Sequence, residues 1–307
     1  MKNKIYLFLS GGLGNQLFQY AAAKNLAIKN NCKLVIDVNS GFLINSIYTL
    51  FKENGKFSLN KNKIKKVYYK NIIFMFLFFK IFKKLRKFFC LKDKLFNYFA
   101  DSLIINESLL SIFSKKILNI KIKKNLYLLG YFQSEKYFLE NKNFIIKEIF
   151  PLKSRNNIFI NMKNKIKNCN SVSLGIRMHE NFNKNNLHKF GGIASLEFYK
   201  RAINNILKKV ENPNFFIFST NSHNVSHILK NIPILNKYKF SLVTSDLGYK
   251  DAYNTLWLMS YCKNHIISNS TLYWWGAYFS QIRYKRKIII CSGNFPNKDT
   301  CLDEWKF

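Results

Sequence analysis

The N-terminal part of the chain alternates between short apolar runs and one longer stretch with helical spacing. The runs KIYLFLS and KLVIDV are short and continuously apolar, which is typical of buried strands. Between them, LFQYAAAKNLAIKNN places Leu17, Tyr20, Ala21 and Lys24 at helical spacing and contains no helix breaker. A strand, a helix and a strand joined by short turns form a βαβ unit, which predicts a parallel sheet.

The same alternation returns in the second half of the chain. Strand patterns occur in SVSLGIR, NFFIFST, HIISNS and KIIICS. Helical patterns alternate with them in LEFYKRAINNILKKV, SHNVSHILKNI, DAYNTLWLMSYC and TLYWWGAYFSQI. This regular order predicts a second sheet of parallel strands covered by helices.

The two halves meet near residue 150, where a strand in NLYLLGYF and a helix over SEKYFLENKNFIIKEIF are followed by Pro151. We therefore predict an α/β fold with two Rossmann-like domains, residues 1–150 and 151–307, and a ligand cleft between them at the carboxyl ends of the strands. The stretch 40–125, rich in Lys, Asn and Phe, is predicted to be mostly helical. It includes a basic aromatic helical insert near 70–100.

The most apolar run of that insert is IIFMFLFF, residues 72–79, and KIFKKLRKFF follows it. A membrane-spanning helix needs about 20 predominantly apolar residues, so this run is too short to cross a bilayer. Two interpretations of segment 72–89 stay open. It could lie in the interface of an anionic membrane, or it could be an ordinary packed helix with one basic face.

The charge of the chain is strongly positive. Lys and Arg number 50 against 16 Asp and Glu, which gives a formal net charge of +34. Such a charge favours nucleic acid, anionic lipid or a phosphorylated substrate as a partner. Heavy use of Lys, Asn, Ile and Phe is also what A/T-rich codons produce, so the charge is weak information about function. No recognised nucleic-acid-binding motif occurs, and we expect no nucleic acid partner.

The six cysteines form no C-x-x-C pair and have no histidine at ligand spacing. This pattern argues against a metal site and against a disulfide scaffold. The N-terminal apolar run ends in glycines and lacks the small-residue cleavage site of a signal peptide. We expect a cytoplasmic enzyme with reduced thiols.

The first chemistry-bearing segment is SGGLGNQLFQYA, which follows a strand and opens a helix. Its glycines permit backbone angles closed to other residues and a close approach to a ligand. The dinucleotide fingerprint is incomplete, because its third glycine would fall at Leu17. A tight turn alone would explain the glycines, but the polar residues after them favour ligand contact at a positive helix end. The candidate contacts are Gly11, Gly12, Gly14, Asn15 and Gln16.

The second segment, SVSLGIRMHENF, places Arg177 just beyond a buried strand, at the edge where open α/β sheets bind ligands. A guanidinium there can hold a diphosphate with two hydrogen bonds and stabilise a departing nucleotide. Alternatively, Arg177 is a surface residue paired with Glu180. His179 is either a general base or a solvated loop residue.

The third segment is HIISNSTLYWWGA. A buried strand ends in Asn269, Ser270 and Thr271, at the N-terminus of the next helix. Hydroxyls and amides in that position suit a phosphate group. The same hydroxyls could serve as helix N-caps, and both roles can hold together. That helix is predicted to pack tightly on the sheet through Trp274, Trp275, Gly276 and Ala277.

These segments together resemble a known family. SGGLGNQLFQYA, GYFQSEKYF, SVSLGIR, LWLMSYCKNHIISNS and STLYWWGA are similar to successive segments of the bacterial α-1,2-fucosyltransferases, glycosyltransferase family 11, outside roughly residues 40–125. The resemblance implies a GT-B-like fold, GDP-fucose as donor, inversion at the anomeric carbon and no required metal or other cofactor. It also implies a glycan acceptor, a galactose 2-hydroxyl in surface polysaccharide or lipopolysaccharide O-antigen synthesis.

Residue by residue, Arg177 matches the family's donor-phosphate arginine, Asn269 to Thr271 match its NST element, and the glycine loop matches its first glycine loop. The resemblance implies that residues 1–150 are the acceptor-side domain and residues 151–307 the GDP-fucose donor domain. Ser219, at the end of NFFIFST, joins the predicted donor contacts. Several positions depart from the family pattern. They are Gly175, Met178, Glu180, Thr220, Asn221 and Thr255.

The resemblance implies direct attack of the acceptor hydroxyl on the anomeric carbon as GDP leaves. Arg177 and the helix end at Ser270 would neutralise the diphosphate charge. Glu180 is the predicted catalytic carboxylate, with Asp37 and His179 as other candidates for the general base. Three alternatives stay open: a basic nucleic-acid-binding protein, a membrane-associated assembly protein, and the same fold with another linkage or donor. A lipid-linked acceptor would place the enzyme on the inner face of the bacterial membrane.

Overall fold

The computed structural model describes residues 3–38, 68–70, 96–99, 102–107, 112–178, 191–285 and 287–305. The chain divides into two compact units, Met1–Ile149 (unit 1) and Phe150–Phe307 (unit 2). Each is built around its own sheet.

Unit 1 contains a 6-stranded sheet in the order β3-β2-β1-β6-β5-β4. Its strands are β1 Lys4–Phe8, β2 Lys33–Asp37, β3 Tyr68–Lys70, β4 Phe96–Phe99, β5 Ser102–Asn106 and β6 Asn125–Leu129. Neighbouring strands are parallel except for the antiparallel pair of β4 and β5. The parallel strands are continuously apolar because both faces of such a sheet are covered.

The helices of unit 1 are α1 Leu13–Lys29, α2 Lys115–Leu118 and α3 Lys142–Ile149, with 3-10 turns at Glu135–Tyr137 and Leu139–Asn141. Helix α1 is buried over most of its length, so its polar residues need partners inside the protein. One of them, Asn25, donates from Nδ2 to the carbonyl of Tyr137 at 2.8 Å. The small alanines of α1 let neighbouring elements approach closely.

Unit 2 contains a 5-stranded, fully parallel sheet in the order β11-β10-β7-β8-β9. Its strands are β7 Asn170–Gly175, β8 Pro213–Ser219, β9 Phe240–Thr244, β10 Asn264–Ile267 and β11 Ile289–Cys291. Its helices are α4 Asn157–Lys167, α5 Leu196–Lys209, α6 Ser222–Lys230, α7 Ala252–Met259 and α8 Thr271–Arg283. Further 3-10 turns are Pro233–Lys237, Ser245–Leu247 and Asp303–Trp305.

Helix α8 is the central buried helix of unit 2. Gly276 faces α7, where an added Cβ would stand 2.6 Å from the Cβ of Met259. Trp274 stacks on Tyr278 with ring centroids 4.5 Å apart. Close packing at Gly276 is therefore present, but its partner is helix α7 and not the sheet that is predicted from the sequence.

The predicted α/β fold with two Rossmann-like sheets, one in each unit, is confirmed. Other predictions were wrong. Residues 68–70, 96–99 and 102–106 are strands where mostly helix is predicted, and all of the basic aromatic segment 72–89 lies outside the described residues. The predicted helix over 134–150 consists of two 3-10 turns followed by α3, since Phe138 adopts a non-helical backbone between them.

Candidate functional site

The strand order of unit 2 has a switch point beside β7. The chain runs from β7 outward to β8 and β9, then returns to the other side of β7 to form β10 and β11. Ligands of open parallel sheets bind where the order reverses, outside the carboxyl ends of the strands. The switch point lies between β7 and β10, whose following residues are Arg177 and the run Asn269–Thr271.

Arg177 stands at this switch point. Its backbone N–H donates to Oγ of Ser268 at 3.0 Å, which ties the end of β7 to the end of β10. The residue is half-buried, and its guanidinium has no hydrogen bond or ion pair to any residue that the structure describes. The structure thus fixes the backbone of Arg177, and within the described part of the chain nothing neutralises its charge.

The N-terminus of α8 lies across the same switch point. Ser270 is the N-cap residue, yet its side chain makes no capping hydrogen bond, and no acidic residue lies in the first turn. Its backbone N–H donates to the carbonyl of Ser268 at 2.7 Å. The first turn of a helix carries unsatisfied N–H groups and a partial positive charge. Thr271, the first helical residue, is half-buried.

Other polar residues of this edge bind the backbone of the protein. Oγ of Ser219 donates to the carbonyl of Ile176 at 3.0 Å. Nδ2 of Asn269 donates to the carbonyl of Gly192 at 2.9 Å, and Nδ2 of Asn294 donates to that of Gly191 at 2.8 Å. We call this set the unit 2 rim: Arg177, Gly191, Gly192, Ser219, Ser268, Asn269, Ser270, Thr271 and Asn294.

A fixed negative charge lies at the end of β9, two strands away from β7. The hydroxyl of Ser222 donates to Asp246 and lowers the pKa of that exposed carboxyl to about 2. This carboxylate stays ionised under ordinary conditions. The positive end of the edge is therefore at β7 and β10, and the negative end is at β9.

The predicted glycine loop lies in unit 1, at the switch point of the other sheet, between β1 and β6. Gly11 has a φ of +73°, which favours glycine, and an added Cβ would stand 2.7 Å from Nδ2 of Asn15. Gln16 is fully buried, and its Nε2 donates to the carbonyl of Gly11 at 2.9 Å. Gly12 is the exposed N-cap of α1, whereas Gly14 is buried within the helix.

The loops that follow β1 and β6 are joined by side chains of α1. Oε1 of Gln19 accepts from the N–H of Ser10 at 3.1 Å, and its Nε2 donates to the carbonyl of Gly130 at 3.0 Å. Nε2 of Gln133 donates to Oδ1 of Asn15 at 2.9 Å. We call this set the unit 1 rim: Ser10, Gly11, Gly12, Asn15, Gln16, Gln19, Glu107, Gly130, Tyr131, Phe132 and Gln133.

Glu107, directly after β5, is a carboxyl that the sequence patterns do not single out. It is 3% exposed, and its Oε2 accepts from the N–H groups of Tyr131 at 3.0 Å and Phe132 at 2.9 Å. Burial raises the pKa of this carboxyl to about 7. The two hydrogen bonds hold Phe132 at a φ of +51°. Glu107 thus fixes the turn after β6.

The candidate general bases lie in different parts of the chain. Glu180 and His179 lie outside the described residues. Asp37 is the last residue of β2 and is fully buried. A further histidine, His265 in β10, is fully buried, and burial lowers its pKa to about 3. Its Nε2 lies 3.1 Å from the carbonyl of Cys262, so it is a neutral core residue.

Sequence reasoning therefore identified the ends of β7 and β10 and missed much of what surrounds them. The pair Gly191–Gly192 before an N-cap serine is a visible turn signal that could have been used. Asn294 and Glu107 carry no local signal, because their roles come from contacts with residues distant in sequence.

A cavity of about 380 Å³ lies at the opposite edge of the unit 2 sheet, where its lining includes Lys165, Cys169, Asn214 and Lys239. These residues are near the amino ends of β7, β8 and β9, away from the switch point. Among the described residues, no three His, Cys, Asp or Glu side chains are grouped so that they could hold a metal ion. Likewise, no described helix is both long and apolar enough to cross a membrane.

Comparison with known proteins adds an independent finding. The family model described as Glycosyl transferase family 11 matches residues 4–306. An alpha-1,2-colitosyltransferase of Escherichia coli is 30% identical over 277 residues, which cover 88% of this chain and 85% of that protein. The O-antigen biosynthesis glycosyltransferase WbnK of Escherichia coli is 27% identical over 98% of this chain and 99% of its own length.

Among solved structures, the fucosyltransferase NodZ from Bradyrhizobium is similar to this chain with a TM-score of 0.45 and 13% sequence identity. The similarity covers 90% of this chain and 93% of NodZ.

Proposed function

Since the chain belongs to glycosyl transferase family 11, we propose that it transfers fucose from GDP-fucose to the 2-hydroxyl of a galactose in a glycan acceptor. The acceptor is part of a surface polysaccharide or O-antigen, in keeping with the O-antigen role in the name of the relative WbnK. The activity is that of a galactoside 2-α-L-fucosyltransferase.

The observation that carries the proposal is the positive charge at the unit 2 switch point. The guanidinium of Arg177 has no partner among the described residues, and the first turn of α8 lacks a side-chain cap. A diphosphate would give both groups a hydrogen-bond partner, because proteins commonly bind phosphate with guanidinium groups and helix N-termini. The glycine loop of unit 1 stays a predicted donor contact through its backbone, at Gly11, Gly12 and Asn15.

In the proposed reaction the acceptor oxygen forms a bond to the anomeric carbon while the bond from that carbon to the phosphate oxygen breaks. GDP leaves with the electron pair, and its added charge falls on Arg177 and the α8 N-terminus, where charge stabilisation is worth most. The hydroxyl proton passes to a carboxylate, for which Glu180 is the candidate. The positive charge comes from the protein, and we propose that the reaction needs no metal.

Another donor of the same chemical type is supported by one finding. The relative that is 30% identical is named as a colitosyltransferase, so its transferred sugar is colitose. A colitosyl nucleotide therefore belongs in any donor panel beside GDP-fucose. The diphosphate contacts described above would serve both donors equally.

We further propose a cytoplasmic enzyme that works at the inner face of the bacterial membrane on a lipid-linked acceptor. The net charge of +34 suits an anionic surface. Liposome co-sedimentation with anionic and neutral vesicles tests this part alone. Binding to neither vesicle would remove the membrane contact from the proposal and leave the transfer reaction untouched.

The transfer reaction is tested with radiolabelled GDP-fucose, a colitosyl nucleotide, GDP-mannose and UDP-galactose, each offered with a panel of β-galactosides and with EDTA present. The proposal expects label on the galactoside from GDP-fucose, a 1,2-linkage in the product and no loss of rate with EDTA. Transfer from UDP-galactose alone would overturn the donor assignment. A full loss of activity with EDTA, restored by a divalent cation, would overturn the metal-free mechanism.

A further inference from the structure

We propose that Asn294 is a positioning residue of the donor site, because it clamps the Gly191–Gly192 turn against Asn269 at the edge of the β10 strand. The proposal rests on the assignment of the unit 2 rim as the GDP-sugar site. It adds a part of that site which lies far from Arg177 in sequence and forms no contact of its own with the predicted phosphate position.

The clamp is built from amide-to-carbonyl hydrogen bonds. Nδ2 of Asn294 donates to the carbonyl of Gly191 at 2.8 Å, and Nδ2 of Asn269 donates to the carbonyl of Gly192 at 2.9 Å. The hydroxyl of Ser292 is hydrogen-bonded to Oδ1 of Asn294, which orients the amide so that its N–H groups face the turn. Two consecutive carbonyls are thus held from two different strand ends.

The backbone of the turn also approaches Asn294 more closely than any side chain would permit. A Cβ added at Gly191 would stand 1.8 Å from the backbone oxygen of Asn294 and 2.9 Å from Nδ2 of Asn269. At Gly192 no atom lies within 4 Å of an added Cβ. Both glycines have positive φ, +84° and +70°. The close approach is therefore specific to Gly191, while the backbone conformation is shared.

The consequence for the donor site follows from the position of Asn269. It is 7% exposed and directly precedes Ser270, the N-cap of α8. Its side-chain N–H donates to the carbonyl of Gly192, so the orientation of the Asn269 side chain depends on the position of the turn. Asn294 holds the turn, and the same β11 connection is fixed to β10 by the N–H of Ser292, which donates to Ile267 at 3.0 Å. The clamp therefore sets the first turn of α8.

The test measures GDP binding by calorimetry to the full-length protein and to Asn294→Leu, which is close to Asn in size, adds no charge and removes the side-chain N–H donor. The expected result is GDP affinity at least tenfold weaker than that of the wild type. The control is Ser280→Ala, which removes a buried hydroxyl bond to the carbonyl of Cys262 at 2.6 Å, at the far end of the same helix. That variant loses a comparable internal hydrogen bond and should bind GDP within twofold of the wild type.

A second pair of variants tests the clamp without changing Asn294 itself. Gly191→Ala and Gly192→Ala impose similar backbone strain, since both positions have positive φ. Only the first also displaces Asn294 and Asn269, so it should weaken GDP binding several-fold more than Gly192→Ala. Thermal melting without GDP confirms that each variant is folded at the temperature of the titration.

The outcomes separate the two claims. A wild-type protein that binds no GDP overturns the proposed function. A wild-type protein that binds GDP, with Asn294→Leu and Gly191→Ala binding as tightly as Ser280→Ala and Gly192→Ala, overturns the positioning role alone. Equal weakening by Asn294→Leu and Ser280→Ala also overturns it, because a general loss of stability would then explain the effect.

Discussion

The two rims of this protein occupy equivalent places in their sheets and differ in one charged group. In the unit 1 rim, the side chains of Gln19, Gln133 and Glu107 bind the neighbouring loops. In the unit 2 rim, Asn269 and Asn294 likewise bind backbone carbonyls, but the guanidinium of Arg177 has no partner among the described residues. A helix N-terminus without a side-chain cap is common to both rims. Hydrogen bonds that a protein makes to itself fix a shape, whereas unmatched charge is available to a ligand.

This comparison separates stability from binding. A buried polar group that loses its partner costs about 1–3 kcal/mol of folding free energy. An unpaired guanidinium contributes little to folding but strongly to anion binding. Variants in the unit 1 rim should therefore change mainly the free energy of unfolding, and variants in the unit 2 rim should change mainly nucleotide binding and turnover.

The largest effect is expected from Arg177→Ala. Loss of the guanidinium should lower kcat/KM for transfer by roughly 100-fold or more, because a charge-stabilising donor is removed where charge develops. Arg177→Lys should recover part of the loss, since an ammonium supplies charge without the planar fork. Initial rates over a range of GDP-fucose concentrations measure both. The matched control is Arg155→Ala, an exposed arginine outside the rim, and equal losses in the two variants would contradict the assignment.

The next effect is a loss of stability in the unit 1 rim. Gln19→Ala removes the bonds to Ser10 and Gly130 and leaves buried groups unpaired, which should cost about 3 kcal/mol of unfolding free energy. GDP affinity should fall less than it does in Arg177→Ala. Urea unfolding and GDP affinity, both measured for Gln19→Ala and Arg177→Ala, show which of the two properties each variant loses. An unfolding midpoint of Gln19→Ala equal to that of the wild type would sink the idea that this rim is a structural network.

A pH effect of intermediate size is expected at Glu107. Its folded-state pKa is raised from 4.5 to about 7, so the folded protein holds this proton more tightly than the unfolded chain. The stabilising contribution is complete below about pH 4.5 and is lost as the pH rises through 7. Between pH 5 and 8 the loss should be about 2 kcal/mol. Glu107→Gln should remove that slope in urea titrations, and an unchanged slope would contradict the prediction.

The smallest effect has the opposite sign and lies in unit 2. Burial lowers the pKa of His265 from 6.5 to about 3, so the unfolded chain takes up this proton first. The contribution is complete above about pH 6.5 and is lost as the pH falls toward 3. Between pH 7 and 5 it should decrease by about 1–2 kcal/mol. His265→Asn should reduce this loss of unfolding free energy between pH 7 and 5. If it melts with the pH dependence of the wild type, the buried neutral histidine is not the cause.

The sequence predicted the fold well where strands are buried on both faces. Short continuous apolar runs such as those of β1 and β10 differ clearly from the 3.6-residue period of the amphipathic helices between the strands. Strand β9, Phe240–Thr244, was missed because Phe240 is exposed and its neighbours are only half-buried. The strands within 68–106 were also missed, because Lys and Asn interrupt the apolar pattern there.

The candidate site was predictable to the extent that it follows strand ends. Arg177 and Asn269 come directly after apolar runs, so their place at a sheet edge follows from the pattern. The donors that fix Asn269 could not be predicted, since Gly191 and Asn294 meet only when the chain is folded. Ser219 and Gln16 are also polar residues at the sheet edges that the pattern indicates. In the structure, both side chains donate hydrogen bonds to neighbouring backbone carbonyls.

The central claim is that the nucleotide diphosphate binds at the unit 2 rim, and hydrogen–deuterium exchange with and without GDP tests it most directly. The account predicts that GDP slows exchange most strongly in residues 268–275, which include the first turn of α8, with smaller changes in the glycine loop. Arg177→Ala should abolish that protection at the same GDP concentration. Protection confined to unit 1, or protection of residues 268–275 that survives in Arg177→Ala, would contradict the account.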